Sequence, residues 1–324
     1  MPFRVIRLVS FVSFVLFAVP ASIAQPGYPA RTVTIVVPFT PGTGADVIAR
    51  LLQPRLAERL KIAVVVDNKA GASGAIGTEF VARAPADGYT LLFTATAHGT
   101  VPALKRNLPY DAAKSFTPVA LAATSALALI VGPQVPAARM EDFLALAKAK
   151  PGTLYYSSPG NGSPQHLAME LIKQETGIDV VHVPYRGSSG AATDLMGGHV
   201  QASVAALQTM APYVASGRLK MLAVLSSERS AAFPEVPTMR ELGHPSLVVD
   251  TWYGIYAPAG TAPEIVARLN SEINALLQLP EIRDAFAKQG LVAVVDRPER
   301  LGELLGLELE RWHRVVANAH ITGE

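Results

Sequence analysis

Short apolar runs and helical patterns alternate along most of the chain. Residues 31–39 are rich in β-branched side chains and predict a buried strand, and apolar positions at helical spacing over residues 45–60 predict the helix that follows. The alternation continues with a strand at AVVVDN, a helical TEFVARA segment and a strand at GYTLLFTAT. Strands that alternate with helices are typical of a parallel α/β sheet, whose ligands gather at the carboxyl ends of the strands.

The alternation restarts after a long apolar run over residues 116–132, which predicts a strand that leaves one lobe and enters another. Residues 229–243 are predicted as a loop with a short helix, and the tail as one strand and two long helices. No flexible linker separates the halves, so we expect two tight hinges. The predicted organisation is lobe 1 over residues 25–124, lobe 2 over 125–225, and a hinge return with the rest of lobe 1 over 226–324.

The first residues have the pattern of a secretory signal peptide. Arg4 and Arg7 precede the apolar run LVSFVSFVLFAV, and small residues, Ser22 and Ala24, lie just before a cleavage point. A membrane anchor is the alternative, but the run is shorter than the roughly 20 residues that a spanning helix needs. We therefore expect a signal peptide over residues 1–24, cleaved near Ala24, and a periplasmic mature protein.

Composition excludes several classes of protein. The chain has 324 residues, of which 50% are hydrophobic and 17% charged, so it can bury a sizeable core and is not disordered. Its formal net charge is +2, and the sequence contains no basic run of the kind that binds nucleic acid. It contains no Cys, which excludes disulfides, thiolate metal ligands and a Cys nucleophile.

The segment VVPFTPGTGADVIARLL, residues 36–52, breaks from a strand into a Pro/Gly-rich turn and then a helix, the arrangement that binds anions. It is not a nucleotide loop. A P-loop requires Gly-Lys-Ser/Thr, whereas Gly44 is followed by Ala45, and Val47 occupies the position of the last glycine of a dinucleotide fingerprint. Asp46, in the first turn, would also repel a pyrophosphate.

Catalytic and metal signatures are weak. GASGA and GSSGA each lack the last glycine of a nucleophile elbow, although His98, His166 and His182 lie near strand ends and leave a Ser/His pair open. The seven histidines are scattered, and the pairing of His166 with Glu170 on one helix face is common on protein surfaces. We therefore predict no metal and no cofactor.

Polar turns that follow predicted strands are the feature that repeats. They are rich in Gly, Ser and Thr, and they occupy residues 40–46, 71–77, 94–100, 157–162 and 187–190. Such loops offer backbone N–H groups and hydroxyls to a small anion. Each alone is also what a tight βα turn needs, but five together in a chain without catalytic signatures favour a ligand cleft.

Over nearly all of its mature length the sequence resembles the Bug-type solute-binding proteins, which are periplasmic receptors of tripartite tricarboxylate transporters. The resemblance lies in stretches such as VPFTPGTGADVIARLL, SSPGNGSPQHLAMELIK, VHVPYRGSSGAATDLMGGHVQ and WYGIYAPAGTAPEIVARLN. It implies a two-lobed α/β periplasmic-binding-protein fold, type II-like, with two parallel-rich sheets, a hinge and an interlobe cleft. It also implies a non-catalytic monomer that delivers a small carboxylate, such as a di- or tricarboxylate or an aromatic acid, to a membrane permease.

The resemblance further implies that loops of both lobes hold one carboxylate through backbone N–H groups, small polar side chains and bridging waters. In lobe 1 the residues carried over are Phe39, Thr40, Gly42, Thr43, Gly44, Asp46, Thr94, Thr96 and His98. In lobe 2 they are Ser157, Ser158, Gly160, Asn161, Tyr185, Arg186, Gly187 and Ala205, and Trp252 contributes a wall near the hinge.

Two positions depart from the family pattern. Thr43 stands where a second glycine is usual, and Ala205 and Ala206 replace a polar Asp-Asn pair, which predicts a distal pocket that prefers a less polar acid. Arg186 either clamps the carboxylate or is a solvated loop residue, and Asp46 is expected to organise its loop. An exported hydrolase with a Ser nucleophile, and a ligand-sensing partner of a signalling receptor, remain alternatives.

Overall fold

The computed structural model describes residues 27–105, 107–185, 187–318 and 321. The expected signal peptide and Arg186 lie outside these residues. Within the described ranges no helix combines the length and the apolar character needed to cross a membrane.

The first part of the chain forms three strand-helix units. They are β1 (Val33–Val37) with α1 (Gly44–Leu60), β2 (Val64–Asn68) with a 3₁₀ turn (Ala72–Gly74) and α2 (Ala75–Ala82), and β3 (Thr90–Ala95) with α3 (Ala97–Leu104). The apolar residues Ile48, Leu52 and Leu56 of α1 recur at helical spacing and are buried, so α1 packs its apolar face on the sheet.

The middle of the chain repeats this pattern after the long strand β4 (Phe116–Val131). Its elements are α4 (Met140–Ala149), β5 (Tyr155–Ser158), α5 (Pro164–Thr176), β6 (Val181–Pro184), α6 (Ser188–Gly197), β7 (Ala202–Ala206), α7 (Leu207–Ala215) and β8 (Lys220–Val224). The last part consists of β9 (Asp250–Pro258), α8 (Pro263–Leu277), α9 (Pro280–Ala287), β10 (Leu291–Ala293) and α10 (Glu299–Asn318).

Strand β4 joins two sheets into one curled, mixed ten-stranded sheet. Its first half pairs with β9 and β10, beside the order β2-β1-β3-β9; we call this part lobe 1. Its second half pairs with β7 and β8, beside β5 and β6; we call this part lobe 2. The predicted α/β class is thus confirmed, with one refinement. The outer strands of both lobes are parallel as expected, but the strands next to β4 run antiparallel to it.

Helix α10 packs on both lobes. Near its start, Leu301 and Leu305 belong to a buried cluster of lobe 1. About two to three turns further on, Trp312 and Val315 are buried in the main core of lobe 2. Because one helix contacts both cores, the last segment of the chain does more than complete lobe 1. The boundaries inferred from the sequence stay predictions.

Several local predictions differ from the structure. Residues 229–243 form turns rather than a helix. The side chains of Thr238 and Glu241 each accept the other residue's backbone N–H, as at a helix start, but only turns follow up to Gly243. Helix α3 begins inside the predicted polar turn of residues 94–100. Helices α7 and α9 and strand β10 were not predicted, since each is short and α7 contains Pro212.

Candidate functional site

The loop between β1 and α1 is held by one carboxylate. Gly42 has a φ of 84°, a conformation that favours glycine, and its N–H donates to Asp46 Oδ2 at 2.9 Å. The side-chain amide of Asn68, at the end of β2, donates to Asp46 Oδ1 at 2.9 Å and to the Phe39 carbonyl at 3.1 Å. The loop therefore has a fixed shape, and it ends at the N-terminus of α1, where unpaired N–H groups favour an anion.

Asp46 is buried and points into its own loop. Burial by itself raises the pKa of this carboxyl, but hydrogen bonds from Gly42 and Asn68 and the nearby Arg50 guanidinium bring the pKa below its usual value. The Arg50 Nε lies 2.9 Å from Asp46 Oδ1. These contacts are those of a loop organiser, as the sequence suggested. Contact between Asp46 and a ligand remains a prediction.

Thr43 fits the loop without needing glycine geometry. Its backbone is extended, with φ −72° and ψ 161°, and its hydroxyl donates to the Thr40 carbonyl at 3.0 Å. The added hydroxyl is thus bonded within the loop. Thr40 and Gly42 are exposed, whereas Phe39 and Gly44 are half-buried.

The residues predicted at the end of β3 lie deeper. Thr94, Thr96, His98 and Trp252 are each at most 4% exposed. The Thr96 hydroxyl accepts from the Trp252 backbone N–H at 2.8 Å, and His98 Nε2 lies 2.9 Å from the Ala112 carbonyl oxygen. The structure therefore places these side chains behind the exposed loops of lobe 1.

His98 belongs to a buried aromatic cluster. Its ring centroid lies 5.0 Å from that of Tyr256 and 5.1 Å from that of Phe116. Burial lowers the pKa of His98 to about 4, although its bond to Ala112 acts the other way. Among the described residues, His98 Nδ1, Trp252 Nε1 and the Tyr256 hydroxyl have no hydrogen-bond partner.

In lobe 2 the loop after β5 is folded around the Ser158 hydroxyl. Ser158 Oγ lies 2.7 Å from His182 Nε2 and 3.0 Å from the Gly160 carbonyl oxygen, and it accepts from the Gly160 N–H at 3.2 Å. The loop after β6 is tied to it, because the Tyr185 N–H donates to the Ser158 carbonyl and the Gly187 N–H to that of Pro159, both at 3.0 Å. The structure thus brings the two predicted loops of this lobe together.

A second histidine holds the far end of the same loop. Gly162, with φ 71°, donates its N–H to His166 Nδ1 at 3.0 Å. His166 lies in the first turn of α5, where Ser163 caps the helix by accepting the His166 N–H at 3.2 Å. The side chain of Leu104 from α3 packs against Gly162 and leaves no room for a Cβ atom. The lobe 2 loop therefore contacts the end of α3 in lobe 1.

The remaining predicted residues of lobe 2 differ in their surroundings. Ser157 is buried, and its hydroxyl has no partner within the described chain, although its carbonyl accepts from the Ser203 hydroxyl at 3.0 Å. Ala205, two residues after Ser203 in β7, is also buried. Tyr185 donates to Asp194 Oδ2 at 2.5 Å, and burial, reinforced by Asp194, raises its pKa to about 12. Asn161 is exposed.

The Ser158–His182 contact has the length of a nucleophile–base pair, but its environment is unsuited to one. Burial, with His166 and Lys173 as further causes, lowers the pKa of His182 to about 3. A general base works best with a pKa near the operating pH. Ser158 is completely buried, and its oxygen also bonds the loop backbone. Nor do the described residues contain a cluster of three His, Asp or Glu side chains that could hold a metal.

Sequence reasoning missed the role of the two histidines. Each lobe has a glycine with positive φ whose N–H bonds a side chain four residues later, in the first turn of the next helix: Gly42 with Asp46, and Gly162 with His166. This shared spacing was visible in the sequence, but the contact of His182 from another strand was not.

Comparison with known proteins places the chain among solute receptors. A family model described as the tripartite tricarboxylate transporter family receptor matches residues 48–321. Protein BugT of Bordetella pertussis is 38% identical over 298 residues, which are 91% of this chain and 91% of BugT.

Solved structures are similar over the same extent. R. palustris Rpa4515 with adipate has a TM-score of 0.86 and 34% identity, and the match covers 92% of this chain and 100% of that one. MatC (Rpa3494) from Rhodopseudomonas palustris with bound malate has a TM-score of 0.80 and 33% identity, over 89% of this chain and 100% of that one. This likeness confirms the expected periplasmic-binding-protein fold.

Proposed function

The chain belongs to the tripartite tricarboxylate transporter receptor family, and from this premise we propose that it captures a small carboxylate between its two lobes and delivers it to a membrane permease. Proteins of this family are periplasmic carboxylate-binding receptors. Two similar structures contain a dicarboxylate, adipate in one and malate in the other, which supports the same ligand class for this chain.

The observation that carries the proposal is the pair of matching loops. In each lobe a strand runs into a loop pinned by a side-chain acceptor, and the loop opens onto the N-terminus of a helix, α1 or α5. Backbone N–H groups at such helix starts favour negative charge. Two such loops on facing lobes can hold one carboxylate and close over it by hinge motion.

The far end of the ligand is proposed to be apolar. Ala205 and Ala206 end β7 and are both buried, and neither supplies a polar group to that part of the cleft. An amino acid brings an ammonium group, which needs an acceptor when it is buried. We therefore propose an aliphatic or aromatic acid as the ligand, in preference to aspartate or glutamate.

The proposal includes export, a monomeric state and a permease partner. The N-terminal pattern supports cleavage near Ala24 and a periplasmic location. Within this proposal the protein turns over no substrate. We assign the Ser158–His182 pair a loop-holding role, because Ser158 Oγ bonds both His182 and the backbone of Gly160.

A ligand screen on the mature protein tests the proposal. Thermal unfolding is measured with adipate, malate, benzoate and aspartate, followed by calorimetric titration of each stabilising acid. A ligand at about 100 times its Kd adds about 2.7 kcal/mol of stability, so the expected increase in melting temperature is easily measured. Tight aspartate binding without any response to adipate or benzoate would contradict the apolar far end.

An ester assay on the same samples tests the hydrolase alternative. We expect no turnover of p-nitrophenyl acetate above that of a denatured sample. Turnover that disappears in Ser158→Ala, while it persists in the surface variant Ser216→Ala, would favour an enzyme.

A further inference from the structure

Two histidines of lobe 2, the buried His166 and the half-buried His182, form a stacked pair beside the loop of residues 158–162. The ring centroids of His166 and His182 are 3.9 Å apart, and their planes differ by 7°. His166 comes from α5 and bonds Gly162, whereas His182 comes from β6 and bonds Ser158. The pair is therefore bonded to both ends of the same loop.

We propose that His166 and His182 are positioning residues, which hold this loop, ahead of the N-terminus of α5, in the shape that binds a carboxylate. The inference rests on the proposed function. The two bonds are linked within the loop, because the Ser158 hydroxyl that contacts His182 also accepts the Gly160 N–H. Moving His166 would release the Gly162 N–H, and moving His182 would release the Ser158 hydroxyl at the other end of the loop.

The hydrogen bonds indicate the protonation state and the tautomer in which each imidazole holds the loop. His166 Nδ1 accepts an N–H, so His166 is neutral and carries its proton on Nε2. An imidazolium would turn an N–H of its own toward the Gly162 N–H. The Ser158 hydroxyl can donate to the Gly160 carbonyl while its oxygen accepts from His182 Nε2–H, which satisfies all three of its contacts.

The groups around the pair favour the neutral rings. Tyr156 from β5 stacks on His182 with centroids 4.9 Å apart, and its hydroxyl donates to Glu170 Oε1 at 2.7 Å. Lys173 bonds the same carboxylate oxygen at 2.9 Å. Burial lowers the pKa of His166, with Glu170 acting to raise it and Lys173 to lower it further. Glu170 is therefore already paired, and the neutral form is the resting form of His166.

Two substitutions at His166 separate a positioning role from packing. His166→Asn places an amide oxygen near the Nδ1 position and keeps an acceptor that does not titrate, whereas His166→Leu fills the space without an acceptor. With adipate as probe and malate as a second one, we expect His166→Leu to weaken binding at least about tenfold, the equivalent of one unsatisfied buried N–H. We expect His166→Asn to bind within about threefold of the wild type. Equal affinity in wild type and His166→Leu would overturn the proposal.

The pH dependence supplies a readout that packing does not affect. Between about pH 7.5 and about pH 4.5, wild-type affinity should fall more steeply than that of His166→Asn, because only the wild type loses its acceptor on protonation. Protonation of the ligand itself affects both proteins equally, so it does not change the comparison. His313→Asn, at an exposed position of α10, is the matched control and should follow the wild type. Identical profiles for wild type and His166→Asn would contradict the proposal.

A ligand-free measurement keeps the inference separate from the proposed function. Nitrogen-15 NMR of the histidine rings at neutral pH should show His166 unprotonated at Nδ1, and the Gly162 amide resonance should shift in His166→Leu. A proton on Nδ1 would overturn the inference whatever the protein binds. If no carboxylate binds, the proposed function fails, while this measurement still decides the role of the histidines.

Discussion

In lobe 1 the Gly42 N–H donates to a carboxylate four residues further on, whereas in lobe 2 the Gly162 N–H donates to a neutral imidazole at the same spacing. The carboxylate is paired with the Arg50 guanidinium and accepts a hydrogen bond from the Asn68 amide. The imidazole instead stacks on a second imidazole. The glycine N–H is thus bonded by a charged carboxylate in lobe 1 and by an uncharged imidazole in lobe 2.

The difference matters most when pH changes. The pKa of Asp46 is below its usual value, so its contribution to stability is present above about pH 4 and is lost as pH falls further. The pKa values of His166 and His182 are also lowered, so the neutral rings stabilise the fold above about pH 6.5, and this contribution shrinks as pH falls toward their lowered values. The loop of lobe 2 is therefore the one that mild acid affects first.

The largest expected effect comes from adding a Cβ atom to the lobe 2 glycine. Gly162→Ala forces alanine into a left-handed conformation and against Leu104, so we expect a loss of about 2 to 4 kcal/mol of unfolding free energy. Gly42→Ala has the same backbone problem but open space around it, so its loss should be about 1 to 2 kcal/mol.

Urea unfolding of both glycine variants measures this difference. Gly306→Ala, in the interior of α10 with no atom within 4 Å of the added Cβ, is the control and should stabilise by up to about 1 kcal/mol. Equal losses at Gly42 and Gly162 would show that Leu104 yields to the added methyl group.

The second largest effect is expected from Asp46→Leu. It leaves the Gly42 N–H and the Asn68 amide without their acceptor, and we expect a loss of about 2 to 3 kcal/mol together with the loss of carboxylate binding. Asp46→Asn retains one acceptor oxygen and should lose less. Denaturant unfolding and calorimetry on the same samples check both, and full affinity in Asp46→Leu would contradict an organising role.

A smaller effect is expected in the pH dependence of stability. Unfolding free energy of the wild type should fall between about pH 7 and about pH 4, because the histidines of the unfolded chain bind protons that His166 and His182 of the folded chain do not. Asp250 acts in the opposite direction, since burial raises its pKa to about 6, with Arg311 opposing and Glu308 reinforcing that shift. The wild type is therefore compared with the double variant His166→Asn, His182→Gln, whose slope should be shallower. Parallel slopes would show that the two histidines do not cause the loss of unfolding free energy.

The smallest effect is expected from Thr43→Gly. The hydroxyl of Thr43 bonds only a loop carbonyl, and its backbone is extended, so stability should change by no more than about 0.5 kcal/mol. If Thr43 influences ligand choice, as its departure from the family pattern suggested, the ratio of adipate to malate affinity will change in calorimetry while the melting temperature does not.

Much of the fold was predictable because its signals are local. The order of most strands and helices, the crossing strand β4 and the loops after β1, β5 and β6 follow from apolar periodicity and from Gly, Ser and Thr clusters, whereas α3, α7, α9 and β10 did not. The antiparallel pairing of β9 was not predictable, because it depends on strands distant in sequence.

The candidate site was predictable only in part. Asp46 could be assigned as a loop organiser, since its position in the first turn of a helix already indicated that role. His98 could not be placed in the core, because its surroundings come from Phe116 and Tyr256, far along the chain. The stacked imidazoles likewise needed β6 beside α5.

Strand β9 has a consequence for the order in which the protein can fold during synthesis. It lies between β3 and β4 in the sheet, and its pairing joins Leu92 with Tyr256. A growing chain that has released β1 to β8 from the ribosome can complete the sheet of lobe 2 but not that of lobe 1. Contacts between distant segments also form slowly. The sheet of lobe 1 therefore stays incomplete until β9, in the last quarter of the chain, has been made.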